Sequence, residues 1–396
     1  MFSSRTPASL HPSPASQALE QLKQRLGSYL DLTLSNPTRA ALDRSQHGVL
    51  SSLTHPAALE YAADPRGVLR ARAALAHYYA ARGMPTFPLD QIFLTASTSE
   101  AYGFLMKLLT DPGDEVLVPQ PSYPLFDHLL QLESLRAVPY PLRFDGSWYI
   151  DPGALPARIT PRTRAIILVS PNNPTGSWTR ANELDWLEPL CEQHHLALIS
   201  DEVFMDYALN PPADRVPVLA ARERVLSFSL GGLSKTLGLP QLKLGWILVN
   251  GPAPLLSEAL ERLEFITDTY LSVGAPVQEA LPRLLEQRDA LQRPIQQRLA
   301  HNRATVERLA RTCPYVTVLP TEGGWSQLLR VPRVMTEEEW VYSLLSARQV
   351  LVQPGYFFDL EPEGHLVLSL LTPPQHFESG LHALFEHIGL YSRAPL

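Results

Sequence analysis

The spacing of apolar positions along this chain changes from helical to strand-like and back again. In SQALEQLKQRLG, Ser16 to Gly27, the leucines Leu19, Leu22 and Leu26 recur at helical spacing between a serine and a glycine, which suit the two ends of a helix. YLDLTLSNPT then reads as a short extended segment closed by Asn-Pro. The alanine-rich RGVLRARAALAHYYAARG, ending at Gly83, predicts a second helix. Seven short apolar runs follow: IFLTAS from Ile92, EVLVPQP from Glu115, AVPYPL from Ala137, RAIILVSP from Arg164, LALISDEVF from Leu196, VLSFSLGG from Val225 and KLGWILVN from Lys243. Most are separated by helix-length stretches such as EAYGFLMKLL and ANELDWLEPLCEQHH. Strands apolar on both faces and alternating with helices predict an α/β fold, with a mainly parallel seven-stranded sheet between helices. Beyond Pro276 long helical patterns return, followed by the strand candidates VTVLP, WSQLLRVP and LVLSLL and a last helix, FESGLHALFEHI. These predict a smaller α+β domain. The expected division is 46–280 for the large domain, with 1–45 and 281–396 forming the small one.

At 396 residues, the chain has room for one large and one smaller core. A formal charge of −7 argues against nucleic acid or an anionic membrane as the main partner. No apolar run approaches the roughly 20 residues of a membrane span. The N-terminal MFSSRTPASLHPSPAS lacks the apolar core of a secretory signal and reads as an arm that orders against something else. The cytoplasm is therefore the expected location. Cys191 and Cys313 lie far apart without ligand spacing, which predicts two buried thiols rather than a disulfide or a metal site.

Candidate chemistry collects at the strand ends, where open α/β sheets bind ligands. Ser97, Thr98 and Ser99 end one strand and begin a helix; they either cradle a phosphate or merely cap the helix. In NNPTG, Asn172 to Gly176, the turn chemistry aims the Asn173 amide above the sheet, unless it is an ordinary loop. Asp201 terminates a buried strand, where a carboxylate is costly without a partner, and DEVF reads as a continuation of that strand rather than a helix cap. Lys235, among glycines and apolar residues, is either a solvated charge or a nucleophile held in a pocket. Tyr123, between prolines, is a candidate aromatic platform.

The order of these features, together with YAADPRG at Tyr61 to Gly67, DPGDEVLVPQPSYP at Asp111 to Pro124, NNPTG, DEVF and SKTLGLP, resembles the class I/II aminotransferases of the fold type I pyridoxal-phosphate enzymes. The resemblance implies a pyridoxal 5′-phosphate cofactor and a homodimer. It implies that Lys235 forms the imine with the cofactor and carries protons, a role suited to an amine whose pKa falls on burial. It further implies that Asp201 keeps the pyridine nitrogen protonated. Asn173 would bond the ring hydroxyl oxygen and Tyr123 would stack on the ring. Ser97, Thr98, Ser99 and Ser234 would surround the phosphate, and Tyr61 would reach the phosphate of a partner subunit.

Several positions depart from the family pattern. Lys243 stands where a forked arginine is usual and offers only a point charge, at what reads as the opening of an apolar strand. Gly232 replaces a phosphate-binding serine. Phe204 replaces a tyrosine, and losing that phenol is expected to raise the pKa of the imine. Val367, in HLVLSLLTPP, stands where the arginine for the substrate carboxylate is usual. Either Arg39, Arg330 or Lys243 supplies the charge, or the substrate lacks an ordinary α-carboxylate. Asn36, in LSNPT, is a candidate substrate contact. The expected activity is amino-group transfer between an amino acid or amine and a 2-oxo acid. The alternatives are a lyase or decarboxylase on the same fold, and a non-catalytic ligand sensor. About 30 residues before LDLTLSNPT are too few for the winged helix such sensors carry.

Overall fold

The computed structural model describes residues 2–7, 11–42, 48–61 and 63–392. All seven apolar runs form strands: β1 (Ile92–Thr95), β2 (Glu115–Gln120), β3 (Arg136–Phe144), β5 (Thr163–Val169), β6 (Ala197–Asp201), β7 (Ser227–Gly232) and β8 (Gly245–Asn250). An eighth, β4 (Trp148–Ile150), pairs antiparallel with the end of β3. Its Trp-Tyr-Ile is too short to stand out as a strand run, so the sheet has eight strands rather than seven. Their spatial order is β1-β8-β7-β6-β5-β2-β3-β4. The pairs β7/β6, β6/β5, β5/β2 and β2/β3 are parallel, while β8 runs antiparallel to both β7 and β1.

Helices cover both faces because alternate strand residues point each way. Phe93, Val118, Ile167, Ile199, Phe228 and Ile247 meet α3 (Thr98–Leu109) and α5 (Ala253–Tyr270) on one face. On the other face, Leu117, Ile166, Leu168 and Leu198 meet α4 (Ala181–His194). Ile92, Leu94, Trp246 and Leu248 meet α2 (Leu69–Ala80) and α6 (Ala275–Glu286).

The remaining core is built from both ends of the chain. The first helix, α1 (Pro14–Leu26), begins earlier than the sequence pattern suggested, because Ser13 rather than Ser16 caps it, accepting the Ser16 N–H. Gly27 ends it, as expected. Leu30–Asp31 then pairs in parallel with Val350–Leu351. The second sheet is antiparallel in the order β9 (Thr317–Val318), β10 (Ser326–Arg330), β12 (His365–Ser369), β11 (Gln353–Pro354). α7 (Arg288–Ala310), α8 (Glu337–Arg348) and α9 (Pro374–Ser392) pack on it. Along α7, Leu291 belongs to the core of the large sheet and Ile295 to this one, so the two cores meet within one turn of helix. Both cysteines are buried and free. Among the described residues no helix is long and apolar enough to cross a membrane.

Candidate active site

β1, β5, β6 and β7 run in the same direction, so their carboxyl ends share one edge of the sheet. That edge brings Ser97–Ser99, Lys235, Asp201 and Asn173 together in spatial order. Glycines allow the close approach. A Cβ on Gly245 would lie 3.1 Å from the Gly231 carbonyl oxygen, the Ser97 carbonyl carbon and Thr95 Oγ1, tighter than most side chains tolerate. A Cβ on Gly232 would lie 3.8 Å from Thr98 Cγ2. The turn that carries Ser234 and Lys235 therefore abuts the N-terminus of α3. Ser97 caps α3 by accepting the Glu100 N–H, so the capping reading holds for that hydroxyl. The N–H groups of Thr98 and Ser99 lie in the first turn and have no acceptor within the helix.

Lys235 sits on the one-turn helix Leu233–Thr236, partly buried, with Tyr207 donating its hydroxyl to the Lys235 carbonyl oxygen at 2.8 Å. Its ammonium nitrogen lies 5.0 Å from the Trp325 ring centre and 5.4 Å from that of Phe204. Burial lowers the pKa of the amine, and the Asp201 charge opposes the fall. The Asp201 carboxylate ends β6. Burial pushes its pKa up to about 6, against the Val203 N–H, the Tyr102 hydroxyl and the Lys235 charge, which all pull it down. The chain does not continue as a strand here. Val203 begins a turn, and its N–H donates to Asp201 Oδ1 at 3.2 Å. A self-capped turn, rather than extended backbone, aims this carboxylate.

At the end of β5 two asparagines divide the work. Asn172 staples the turn, its Oδ1 accepting from the backbone N–H and the hydroxyl of Thr175. Asn173 Oδ1 accepts the Ser326 hydroxyl at 2.9 Å, which leaves its NH₂ as the outward donor. Tyr123 is half-exposed beside the edge.

Other predicted residues stand apart. Lys243 does not open β8, which begins at Gly245; it occupies a left-handed turn with φ 52° and is exposed. Tyr61 is 84% exposed. Asn36 is exposed, and its Oδ1 accepts from the N–H and hydroxyl of Thr38, forming a local turn. Val367 pairs with Leu328 and Gln353, and it packs with Trp148, Leu328, Phe358 and Leu360 in an apolar cluster. Arg39 is exposed. Arg330 shares the Val367 face of the sheet, opposite His365, with its guanidinium 5.9 Å from the Phe144 ring centre. It is four residues along β10 from Ser326, roughly 14 Å at about 3.4 Å per residue, and two residues, roughly 7 Å, from Leu328.

Three residues at this edge were not foreseen: Tyr102, Trp325 and Ser326. Tyr102 reads as core in an apolar helix pattern; Ser326 opens β10 of the second sheet and Trp325 directly precedes it, 90 positions or more from Lys235 in the chain.

A family model described as aminotransferase class I and II matches residues 25–384. The chain belongs to the class I and II aminotransferases. This aminotransferase is 30% identical over 272 residues to the glutamate-pyruvate aminotransferase AlaA of Escherichia coli, covering 69% of this chain and 67% of that one. It is 28% identical over 404 residues to an alanine aminotransferase of Mycobacterium tuberculosis, covering 95% and 88%. An aminotransferase crystal structure from Escherichia coli superposes with a TM-score of 0.85 at 26% identity, covering 100% and 99%. The fold is also that of an alanine aminotransferase from Pyrococcus furiosus, with a TM-score of 0.84 at 22% identity over 96% and 99%.

Members of this family use pyridoxal 5′-phosphate, and the edge of this sheet fits it. A hydroxyl-rimmed helix N-terminus suits the phosphate, a lysine of lowered pKa suits the aldehyde, and a carboxylate two strand-ends along suits the ring nitrogen. As an aminotransferase, the chain moves an amino group between an amino compound and a 2-oxo acid.

Proposed function

We propose that Lys235 binds pyridoxal 5′-phosphate covalently and is the residue that moves protons at the donor's amino carbon. Bound there, the cofactor supplies an electron sink beside that carbon. The Asp201 carboxylate accepts the N–H of the ring, and the Asn173 NH₂ donates to the ring hydroxyl oxygen. Tyr123 covers one ring face; Phe204 and Trp325 shield the lysine from water. Thr98, Ser99 and Ser234, with the donor groups of the first turn of α3, hold the phosphate. Ser97, its oxygen engaged in capping, contributes its O–H, and Lys243 contributes charge at longer range. The observation that carries this reading is the placement of Lys235 and Asp201 at neighbouring strand ends beside the cradle.

The names of the relatives favour alanine, glutamate and pyruvate as substrates. A second reading rests on Val367: its partners on neighbouring strands, Leu328 and Gln353, and its packing neighbour Phe358 carry no charge. A small donor's carboxylate would find no cation on that rung; Arg330, on the same face, lies two residues along β10 from Leu328 with its guanidinium against the Phe144 ring. A donor without a carboxylate beside its amino carbon satisfies this wall.

We also propose a cytoplasmic homodimer of two-domain subunits, divided at 46–280 against 1–45 with 281–396. The meeting of the two cores within α7 supports two domains but falls between Leu291 and Ile295, past residue 280, with Leu281 and Leu284 still in the core of the large sheet; the other boundary lies outside the described residues. The dimer is supported by the exposed Leu59, Tyr61, Leu69 and Phe265, where a cavity of about 770 Å³ is lined by Tyr61, Leu69 and Leu271.

Adding pyridoxal phosphate, fixing with borohydride and mapping the labelled peptide tests the attachment; label away from Lys235 overturns it. Mixing the loaded protein with L-alanine, L-glutamate and a series of primary amines, while following the cofactor absorbance, separates the two substrate readings. Conversion by amines alone selects the second, and conversion by the amino acids selects the first.

A further inference from the structure

Asp201 is held from a side that the aminotransferase reading does not use. Its Oδ2 accepts the Tyr102 hydroxyl at 3.1 Å and its Oδ1 accepts the Val203 N–H at 3.2 Å. Tyr102 rises from the second turn of α3, the same helix whose first turn faces the cradle. Its ring is 4% exposed and sits edge-on to Phe126, with centroids 5.5 Å apart, so the ring cannot swing away without repacking the core. Both carboxylate oxygens are thus pinned, one by backbone and one by a rigid phenol. Neither bond consumes the remaining lone pairs, since each oxygen accepts more than one.

We propose that Tyr102 is a positioning residue for Asp201: its hydroxyl fixes the carboxylate plane and makes it a weaker base, so that a proton shared with a ring nitrogen stays on the ring. This rests on the reading of Asp201 as the partner of the cofactor's nitrogen. Burial raises the phenol's own pKa well above the ordinary tyrosine value, and the nearby Asp201 charge raises it further, so the hydroxyl is a donor at every working pH. Among the described residues, two other charged groups face Asp201. Lys235 faces it from the one-turn helix and Glu202 adjoins it in the chain. Tyr140, from β3, faces Tyr102, but its own hydroxyl is committed to the Ile167 carbonyl at 2.8 Å.

Tyr140 makes the comparison that separates positioning from packing. Both phenols are buried in the large-sheet region, and each donates to an acceptor; only Tyr102 donates to the strand-end carboxylate. Replacing a phenol by Phe keeps the ring and removes one donor. Tyr102→Phe therefore tests the hydroxyl, and Tyr140→Phe measures the cost of losing a buried hydroxyl as such.

The test has two arms. In apoprotein, carboxyl-band infrared titration, with Asp201→Asn as the blank, follows ionisation of Asp201. Tyr102→Phe is expected to move its midpoint up by about one pH unit, a tenfold change in proton affinity, and Tyr140→Phe to leave it in place. In protein loaded with pyridoxal phosphate, Tyr102→Phe is expected to raise the midpoint of the cofactor's absorbance titration and lower kcat about tenfold, with KM within about twofold. An unmoved Asp201 midpoint in Tyr102→Phe, or an equal shift in Tyr140→Phe, overturns the proposal. In the wild type, the C–O stretch of ring-labelled tyrosine must shift in step with the Asp201 titration, which needs no variant to fold. Failure of the wild type to take up pyridoxal phosphate would count against the cofactor reading alone, because the apoprotein arm would still report on Tyr102.

Discussion

Glu202 offers a direct way to weigh the electrostatics of this edge. The side chain follows Asp201 and is 2% exposed. Its Oε1 accepts the Leu219 N–H and the Ser229 hydroxyl, each at 2.8 Å. Burial pushes its pKa from 4.5 up to about 8, with the Asp201 charge adding to the rise. An acid raised on folding binds its proton more tightly in the native state. Its favourable contribution is fully present below the unfolded pKa and is lost as pH climbs through the folded one. Across the whole interval of about 3.5 pH units, at about 1.4 kcal/mol per unit, the loss is on the order of 5 kcal/mol. Asp201, raised to about 6 by burial, adds a similar slope at lower pH, so the clean window lies between pH 6 and 8. There the loss assigned to Glu202 is about 2–3 kcal/mol. Glu202→Gln keeps an acceptor for Leu219 and Ser229 but carries no titrating proton. The assay is urea unfolding of apoprotein at about pH 6 and about pH 8 for both forms. His365 and His387, lowered by burial, gain stability as pH rises toward 6.5, and they cancel in the difference between variants. The wild type is expected to lose 2–3 kcal/mol more than Glu202→Gln over that window. Equal losses in the two proteins would refute the reasoning.

Other perturbations test different parts of the molecule. Lys235→Ala should abolish borohydride-fixed label and lower turnover by at least about a thousandfold, because no other group at the edge is placed to take its role; a steady-state assay with added pyridoxal phosphate checks it. Gly231→Ala would drive a Cβ well inside contact with the Trp246 ring, and overpacking of this kind costs about 1–3 kcal/mol, visible as a lower thermal midpoint. Arg222→Ala would strand the Glu188 carboxylate, which is 2% exposed and receives Nε at 2.5 Å and Nη2 at 2.7 Å from Arg222; a loss of about 2–3 kcal/mol in denaturant unfolding is expected. Val367→Arg should increase kcat/KM for α-amino acids over the matching amines by about tenfold or more if the apolar rung governs donor choice, read from paired kinetics.

Much of this aminotransferase is fixed by local pattern. Runs such as RAIILVSP and LALIS are apolar on both faces, so their burial between helices follows from composition without knowledge of their neighbours. The order of Ser97, Asn173, Asp201 and Lys235 along the chain could be read because each ends such a run, and parallel strands place those ends on one edge. The three-residue β4 was illegible: it is a strand only because the end of β3 is there to pair with it. Lys243 was misread for the same reason. Its sequence neighbours are apolar, but β8 starts only where Gly245 can press against Gly231 and Ser97.

The long-range partners belong to tertiary structure alone. Ser326 holds Asn173 across 153 positions, Tyr102 holds Asp201 across 99, and Trp325, just before β10, faces Lys235. Sequence settles which side chains can do the chemistry, because amine, carboxylate and amide are intrinsic to their residues. Only the packed fold decides how acidic, how oriented and how dry each one is, because those properties depend on atoms brought near by folding.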